Sequence, residues 1–239
     1  MSNQYFQFKQ FTIRQDKCAM KVCTDACILG AWTAMKARLL SINNILDIGT
    51  GTGLLSLMLA QKTNGLITAI EINKDAAEQA LENSSASPWS NRIDIVHSSL
   101  QDFKPAKNYD LIISNPPFYE YDLRSGDEYK NAAKHDTTLK LEELLFSIRE
   151  YLNVNGHASV LLPFHRTPYF EEKAKEHSLF VQEKVLVKQT AGHEPFRSIL
   201  LLTSNCSQDP IITELIIHDS QRNYTEDFIL LLKDYYLKL

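Results

Sequence analysis

The chain has 239 residues, of which 44% are hydrophobic and 23% are charged, and its formal net charge is −4. This length and this composition suit one globular α/β domain with a large core. No run approaches the roughly 20 apolar residues that a membrane-spanning helix needs, and the polar first 15 residues do not form a signal peptide. We therefore expect a cytoplasmic protein that is not bound to a membrane. The acidic balance speaks mildly against an extensive nucleic-acid groove but allows local basic patches.

The cysteine pattern predicts no metal site. Four cysteines are present, but no two of them form a C-x-x-C pair, so the zinc spacings are absent. We interpret them as reduced thiols that pack in the protein. They are Cys18, Cys23, Cys27 and Cys206.

The first 40 residues predict an arm and a helix ahead of the core. Residues 6–14 alternate enough to form one or two short strands, and residues 26–40 predict a helix. Thr24 or Asp25 is placed to cap that helix with its side chain. The other of the two is a candidate ligand contact, because this segment precedes the first core strand.

The core alternates between apolar strands and helical segments, which predicts a doubly wound, Rossmann-like fold. We expect a mostly parallel seven-stranded sheet with helices on both faces and an antiparallel closing hairpin. The predicted strands are 45–48, 66–70, 92–96, 109–113, 157–162, 181–187 and 198–203, and the predicted helices are 53–62, 74–85, 139–152 and 167–177. One domain is expected, with an arm and helix at 1–40, a catalytic core at 41–205 and a strand–helix extension at 206–239.

A glycine-rich turn follows the first core strand, in Asp47-Ile48-Gly49-Thr50-Gly51-Thr52-Gly53. A strand, a glycine turn and a helix N-terminus form a nucleotide-shaped site at the carboxyl edge of a parallel sheet. The spacing is G-x-G-x-G, whereas dinucleotide-binding proteins have G-x-G-x-x-G, which argues against a nicotinamide-dependent oxidoreductase. Asp47 suits a cationic ligand, and S-adenosylmethionine (SAM) carries a sulfonium and an ammonium but no phosphate. The turn therefore predicts a SAM site.

The end of the second core strand supplies a further candidate for that site. Glu71 lies 18 residues after Gly53, where a carboxylate can accept both ribose hydroxyls of a bound adenosine. We place Glu71 and its neighbour Ile72 in the cofactor site.

The fourth strand leads into Asn115-Pro116-Pro117-Phe118. Two prolines stiffen the turn and keep Asn115 out of the helical region. The amide oxygen of Asn115 and the carbonyl of Pro116 can accept the two hydrogens of an exocyclic amine, and Phe118 offers a face for the ring that bears it. The four residues therefore predict methylation of an amino group.

Together, these two motifs resemble the class I SAM-dependent methyltransferases that methylate amino groups and carry an N-P-P-F motif. The flanks resemble the bacterial tRNA1(Val) (adenine(37)-N6)-methyltransferase family. Those flanking segments are Phe8-Lys9-Gln10-Phe11, Met20-Lys21-Val22-Cys23-Thr24-Asp25, Leu29-Gly30-Ala31-Trp32, Tyr224-Thr225 and 232–236. The resemblance covers nearly the whole chain, and it implies methyl transfer to N6 of adenine in tRNA, at adenine 37 of tRNA1(Val).

The resemblance also implies roles for individual residues. It places Asn115, Pro116, Pro117 and Phe118 around the target adenine. The cofactor would be held by Thr24, Asp25, Asp47, Gly49, Thr50, Gly51, Gly53, Glu71, Ile72, Ser99 and Leu100.

One departure from the family pattern concerns the adenine of the cofactor. Relatives usually have an acidic residue after the third strand, where this chain has Ser98-Ser99-Leu100. Ser99 accepts a hydrogen bond only weakly and Asp102 lies further along the chain, so we expect a modest affinity for SAM.

Substrate delivery would require a base that leaves its stack, which is easiest in a single-stranded loop such as an anticodon loop. Residues 119–138 follow the catalytic turn and interleave aromatic and basic side chains, a mixture that suits RNA, although acidic residues there also fit a solvated lid. The candidate RNA contacts are Lys21, Tyr119, Arg124, Lys130, Lys134 and Arg197. Nothing in the sequence indicates an obligate dimer, so a monomer is expected.

Two enzymatic alternatives remain open. A protein glutamine N5-methyltransferase would also present an amide to an N-P-P turn, although about 40 residues before the core leave no room for a separate helical domain. The substrate could also be an adenine in another RNA or in DNA. A non-catalytic binding module would have to explain an intact Asn115-Pro116-Pro117-Phe118.

Overall fold

The computed structural model describes residues 3–18, 20–40, 42–117, 141–205 and 209–239. The strands are β1 (Tyr5–Gln7), β2 (Thr12–Arg14), β3 (Asn44–Ile48), β4 (Leu66–Glu71), β5 (Ile93–His97), β6 (Tyr109–Ser114), β7 (Leu152–Pro163), β8 (Phe180–Lys188), β9 (Arg197–Thr203) and β10 (Ile211–Ile216). The helices are α1 (Thr24–Leu39), α2 (Leu54–Lys62), α3 (Lys74–Ser85), α4 (Leu141–Tyr151), α5 (Thr167–Glu176) and α6 (Glu226–Leu232).

Eight strands form one sheet in the order β10-β8-β9-β7-β6-β3-β4-β5, and β1 and β2 form a separate antiparallel pair. β9 runs antiparallel to both of its neighbours, β7 and β8, while the other pairings in the large sheet are parallel. The expected Rossmann-like, mostly parallel fold is confirmed. The expected number of seven strands is wrong, because β10 adds an eighth beside β8. Its first four residues are all exposed, so it lacks the alternation that marks a half-buried strand.

Helices cover both faces of the sheet and create two cores. On one face, α1, α2 and α6 pack over alternate residues of the central strands, among them Ile45, Leu111 and Ile113. On the other face, α4 and α5 cover the side chains between them, among them Leu46 and Ile112. Successive side chains of a strand point to opposite faces, which is why the continuous apolar runs of β3 and β6 serve both cores.

The N-terminus of α1 differs from the expected cap. Cys23 precedes the helix and its side chain makes no capping hydrogen bond. The Oδ1 atom of Asp25 accepts from the backbone N–H of Ala26, while Oδ2 accepts from Nε of Arg197 at 2.8 Å. The N-cap position is therefore Cys23 rather than Thr24 or Asp25, but Asp25 accepts from a free N–H of the first turn, as expected, and also joins the helix to β9.

The described cysteines fit the interpretation as packing residues. Cys27 is fully buried, and burial raises the pKa of its thiol to about 12. Burial likewise raises the pKa of the Cys23 thiol to about 12. Within the described ranges, no group of three or more His, Cys, Asp or Glu side chains could hold a metal ion. In the same ranges, every helix is too short or too polar to cross a membrane.

The two ends of the chain pack against each other beside α2. The backbone N–H of Lys9 donates to the carbonyl of Tyr235 at 2.8 Å, and the rings of Phe6 and Phe8 contact the ring of Tyr236. The hydroxyl of Tyr235 donates to the carbonyl of Met58 in α2 at 3.0 Å. The C-terminal segment thus helps to attach the β1–β2 pair to the core, beside the hydrogen bonds between Arg14 and Asn83 of α3.

Candidate active site

Three neighbouring strands end at the same level on the carboxyl edge of the sheet. Ile48 of β3 lies opposite Ile70 of β4 on one side and Ser114 of β6 on the other. Ser114 also donates from its hydroxyl to the carbonyl of Ile48 at 3.0 Å. The residues that follow these positions are Gly49, Glu71 and Asn115, so the sheet brings three predicted site residues side by side.

The glycine turn needs glycine at three positions. Gly49, Gly51 and Gly53 have φ angles of 72°, 57° and 83°, which side chains with a Cβ rarely adopt. The backbone N–H groups of Gly49 and Thr50 donate to the carbonyl of Ile70 at 2.9 and 3.0 Å. The turn is therefore fixed to the end of β4 and leads into α2 at Gly53.

Asp47 lies beneath this turn and is completely buried. Its Oδ2 accepts hydrogen bonds from the hydroxyls of Thr50 and Ser56, at 2.6 and 2.7 Å, and from the backbone N–H of Ser56. Its Oδ1 has no partner among the described residues. Burial raises the pKa of Asp47 from 3.8 to about 6, and the charge of Glu71 adds to that rise, although the three hydrogen bonds oppose it.

Glu71 is held in a single orientation by two backbone donors. Oε2 accepts from the N–H of Gly51 and Oε1 from the N–H of Asn73, both at 2.9 Å. A carboxylate oxygen has more than one acceptor direction, so each oxygen can still accept from a ligand hydroxyl. The side chain of Ile72, the next residue, is 52% exposed beside it.

The segment after β5 brings an acidic side chain next to Ser99. The hydroxyl of Ser99 donates to Oδ2 of Asp102 at 2.7 Å, and the N–H of Asp102 donates back to that hydroxyl. A carboxylate therefore stands beside Ser99. The side chain of Leu100 is buried in the core with Phe103.

The Asn115-Pro116-Pro117 turn continues β6 beyond the sheet. Oδ1 of Asn115 is buried and has no hydrogen-bond partner among the described residues. A buried amide oxygen without a partner carries a free-energy cost of about 1–3 kcal/mol. A ligand that donates an N–H to this atom removes that cost, so the turn is suited to hold an amine. Phe118, Tyr119, Arg124, Lys130 and Lys134 lie outside the described residues.

The segment before α1 crosses the same edge. A Cβ placed on Gly51 would lie 3.8 Å from Sγ of Cys18, so this segment begins beside the glycine turn. The ammonium of Lys21 donates to the carbonyl of Gln15 at 2.7 Å.

Further along the chain, Thr24 and Asp25 lie in the first turn of α1. Both line a pocket beside β8 and β9, where Arg197 pairs with Asp25 and also donates to the carbonyl of Phe196.

Comparisons with known proteins agree with this geometry. Residues 32–146 match the family model of the methyltransferase small domain. The chain is 42% identical to the tRNA1(Val) (adenine(37)-N6)-methyltransferase of Christiangramia forsetii and 40% identical to that of Bacteroides fragilis, in both cases over 100% of both chains. The chain belongs to the tRNA1(Val) (adenine(37)-N6)-methyltransferase family.

Solved structures with low sequence identity share the fold of this family member. A protein of Agrobacterium tumefaciens predicted to be an O-methyltransferase gives a TM-score of 0.66 at 18% identity, over 88% of this chain and 96% of that chain. A TehB-like SAM-dependent methyltransferase of Corynebacterium glutamicum gives 0.51 at 17% identity, over 74% and 88%. At these identities the likeness concerns the fold alone.

Several residues of this tRNA1(Val) (adenine(37)-N6)-methyltransferase family member were not assigned to the site from the sequence. Ser56 holds Asp47 from the first turn of α2, and Asp102 pairs with Ser99. Gln189, Phe196 and His218 share a pocket with Asp25. The sequence signal for Asp102 is its spacing of three residues from a serine, which is typical of a local side-chain-to-backbone turn. The pocket residues come from separate elements, so no local pattern indicates them.

Proposed function

We propose that this chain methylates N6 of adenine in tRNA with SAM as methyl donor, at adenine 37 of tRNA1(Val). The observation that carries the proposal is the buried, unpartnered Oδ1 of Asn115 at the end of β6, one strand from the glycine turn. Full-length relatives at 40–42% identity carry this activity in their names, which supports the choice of substrate.

The residues present fit SAM. The buried carboxyl group of Asp47 has an unpartnered oxygen, and the Cβ position of Gly49 has no atom within 4 Å, so the turn combines acidic character with open space. In the proposed site, Gly49, Thr50, Gly51 and Gly53 surround the cofactor above Asp47. Glu71 accepts hydrogen bonds from the ribose hydroxyls of SAM. The adenine of SAM is bordered by Ile72, Ser99 and the backbone of Leu100. When bound, SAM supplies an electrophilic methyl group on its sulfonium.

The contribution of the protein to the reaction is alignment. Oδ1 of Asn115 and the carbonyl of Pro116 accept the two N6 hydrogens, which turns the nitrogen lone pair towards the methyl group. Pro116 and Pro117 have no N–H and restricted φ angles, so both acceptors keep their direction. Phe118 would stack on the adenine ring. Proximity and oriented dipoles of this kind lower the barrier without a covalent intermediate.

The anticodon loop is the proposed substrate region, because the target base must leave its stack. Tyr119, Arg124, Lys130 and Lys134 would contact the RNA beside Phe118, together with Lys21. Arg197 is proposed to support RNA binding indirectly, through its ion pair with Asp25. We propose that the chain acts as a monomer in the cytoplasm, where tRNA is found, and native mass measurement tests the monomer.

The test is methyl transfer from labelled SAM to hypomodified tRNA, ribosomal RNA, DNA and release-factor protein, followed by identification of the labelled product. We expect label in N6-methyladenosine from tRNA. Asn115→Ala should lower the rate about 100-fold or more while SAM binding is kept. Asn155→Ala is the matched control. Asn155 is an exposed residue of β7 that lies beside the start of β6, at the edge of the sheet away from Asn115. Label in protein glutamine would contradict the tRNA proposal and retain the site.

A further inference from the structure

A second pocket lies along the same carboxyl edge, on the side of β6 opposite to the glycine turn. Its volume is about 220 Å³. The lining side chains come from α1, from the loop between β8 and β9, and from the segment after β10; they are Thr24, Asp25, Gln189, Phe196, His218 and Tyr224, above Ile217 as a buried floor. Apart from Thr24 and Asp25, which the family resemblance places near the cofactor, these residues have no role in the proposed methyl transfer at Asn115.

The walls of this pocket are fixed before any ligand binds. The backbone N–H of Ile217 donates to the carbonyl of Lys188, and that of His218 donates to the carbonyl of Gln189, both at 2.9 Å. The N–H of Phe196 donates to the carbonyl of Val187 at 3.0 Å. These bonds extend the sheet pairing past the strand ends, so the pocket is a continuation of the sheet rather than a gap between loops.

The aromatic side of the pocket is also held in place. The rings of His218 and Tyr224 stack with centroids 5.0 Å apart, and Tyr224 stacks in turn on Phe228 at 4.6 Å. Phe228 is fully buried in α6, whereas Tyr224 is 40% exposed. Tyr224 therefore lies between two stacked rings and holds His218 in place, so that the outer face of the His218 ring is the stacking surface offered to the pocket.

The polar side of the pocket selects against charged ligands. Its carboxylate, Asp25, is paired with the guanidinium of Arg197 at 2.8 Å, so the two charges neutralise each other. Thr24 and Gln189 add a hydroxyl and an amide, which can donate as well as accept. Flat aromatic faces beside a few donors and acceptors form the environment in which proteins hold an unstacked nucleobase.

The position of the pocket fits a nucleotide near the target adenine. β9 and β8 are two and three strands from β6 in the sheet, and neighbouring strands lie about 4.8 Å apart, so the pocket is roughly 10–15 Å along the edge from the Asn115 turn. The volume of the pocket is below the usual range for whole small-molecule ligands and suits a single base.

We propose that this pocket binds an unpaired nucleobase of the tRNA loop that flanks the methylated adenine. This inference rests on the proposed function for its RNA substrate. It assigns to the C-terminal segment the task of holding the loop open while the target base enters the Asn115 turn.

The test uses an anticodon stem-loop RNA and a series of the same RNA with one abasic nucleotide at each loop position around the target. Binding is measured by fluorescence anisotropy, and methylation is measured separately. We expect one abasic position to weaken binding to the wild type by about tenfold, the range for one stacked base. Tyr224→Leu should weaken binding of the intact RNA to a similar extent and should no longer distinguish the abasic RNA.

Two further variants keep this test independent of folding. Tyr224→Phe retains the stacking ring and should bind as the wild type does. Gln189→Ala removes an exposed side chain while its backbone carbonyl still accepts from His218, and it should weaken binding of the intact RNA without a change in stability. SAM affinity should be equal in all four proteins.

The outcomes separate the two proposals. Equal binding of the intact and all abasic RNAs by the wild type would overturn the pocket assignment, and so would a loss of SAM affinity in Tyr224→Leu. Binding with the expected abasic pattern but without methylation would overturn the proposed function and leave the pocket assignment in place. Absence of RNA binding by the wild type would overturn both.

Discussion

Asp47 is a carboxyl group buried in the middle of the site, and its position explains why the glycine turn has a defined shape. Its Oδ2 atom ties Thr50 of the turn to Ser56 of α2. Burial of the charge opposes ionisation, and the pKa of the group rises to about 6. At neutral pH the folded protein therefore carries a buried negative charge that a cationic ligand would stabilise.

This raised pKa predicts a pH dependence of stability. The folded state keeps the proton of Asp47 up to about pH 6, whereas the unfolded chain releases it near 3.8. Between these values the folded state binds more protons, so the contribution of this group to the free energy of unfolding falls as pH rises, by up to about 3 kcal/mol. Urea unfolding between about pH 4 and 7 measures it, and Asp47→Asn should remove this part of the pH dependence.

Asp110 provides a control of opposite sign. Burial raises the pKa of Asp110, but hydrogen bonds from the backbone N–H groups of Asn43 and Asn44, together with smaller effects, lower it by more. The net shift of the pKa is therefore downward. Its stabilising contribution is present above the unfolded pKa and is lost as pH falls through the lower folded value. Asp110→Asn should therefore cost stability at neutral pH. If Asp47→Asn showed the same dependence of the free energy of unfolding on pH as the wild type, the raised pKa of Asp47 would be contradicted.

At Gly53 the same turn needs a backbone conformation that favours glycine. Its φ of 83° lies in the left-handed region, and a Cβ there would meet Ala80 at 3.5 Å, an ordinary contact. Because the space is sufficient, the cost of Gly53→Ala is the backbone conformation itself, about 1–2 kcal/mol of the free energy of unfolding. Any relief by rotation of the backbone would displace the turn, so SAM affinity should fall as well.

Gly192→Ala is the matched control for Gly53→Ala. Gly192 has a φ outside the positive range and nothing within 4 Å of its Cβ position. Urea unfolding and calorimetric titration with SAM should show no loss for this variant. Equal behaviour of the two alanine variants would show that the glycine turn tolerates a side chain.

At the scale of elements, β3, β4, β5 and β6 lie within two residues of their predicted ends. Their apolar residues are local signals, in runs that are mostly buried in β3, β4 and β6, and each strand ends at a glycine or a polar residue. The junction between α4 and β7 is less regular. Leu152 pairs with Tyr109, but the next paired residue, His157, lies opposite Leu111, so the register shifts. The predicted strand at 157–162 is the regular part of β7, and the residues before it gave no strand pattern.

The candidate site likewise has a part that local sequence patterns predict and a part that depends on tertiary contacts. The glycine turn, Glu71 and Asn115 each follow a predicted strand, so the sequence indicates their place at the edge. Gln189 and His218 meet through one backbone hydrogen bond between segments far apart in the chain. Such a contact depends on the tertiary pairing of β8 with β10, which no local periodicity reveals.

The helix α6 begins at a cap that supports the second pocket. The hydroxyl of Thr225 accepts from the N–H of Phe228 at 3.3 Å and donates to the carbonyl of Ile216. Thr225→Ala should lower the free energy of unfolding by about 1 kcal/mol and speed hydrogen exchange at Phe228 and Ile229. Thr225→Ser keeps the hydroxyl and should behave as the wild type. Faster exchange in both variants would mean that the methyl group, not the cap, holds the helix start.

For the whole molecule, Tyr235 joins both ends of the chain to the core. Its side chain is 1% exposed, its hydroxyl bonds Met58 of α2, and its carbonyl accepts from Lys9. Tyr235→Ala should cost about 3–5 kcal/mol of the free energy of unfolding, as for other buried aromatic residues. Tyr235→Phe should cost about 1 kcal/mol, because only the hydrogen bond to Met58 is lost.

Hydrogen exchange tests whether Tyr235 couples the two ends. In Tyr235→Ala we expect faster exchange of the amides of β1 and β2 as well as those of the last residues, because the contacts of this segment with Lys9, Phe6 and Phe8 are part of what holds the β1–β2 pair. Leu237→Ala, at a side chain that is 53% exposed, should change stability by less than about 0.5 kcal/mol and leave β1 and β2 protected. If β1 and β2 stay protected in Tyr235→Ala, their own contacts with α3, such as the hydrogen bond from the N–H of Arg14 to Asn83, are sufficient to hold them.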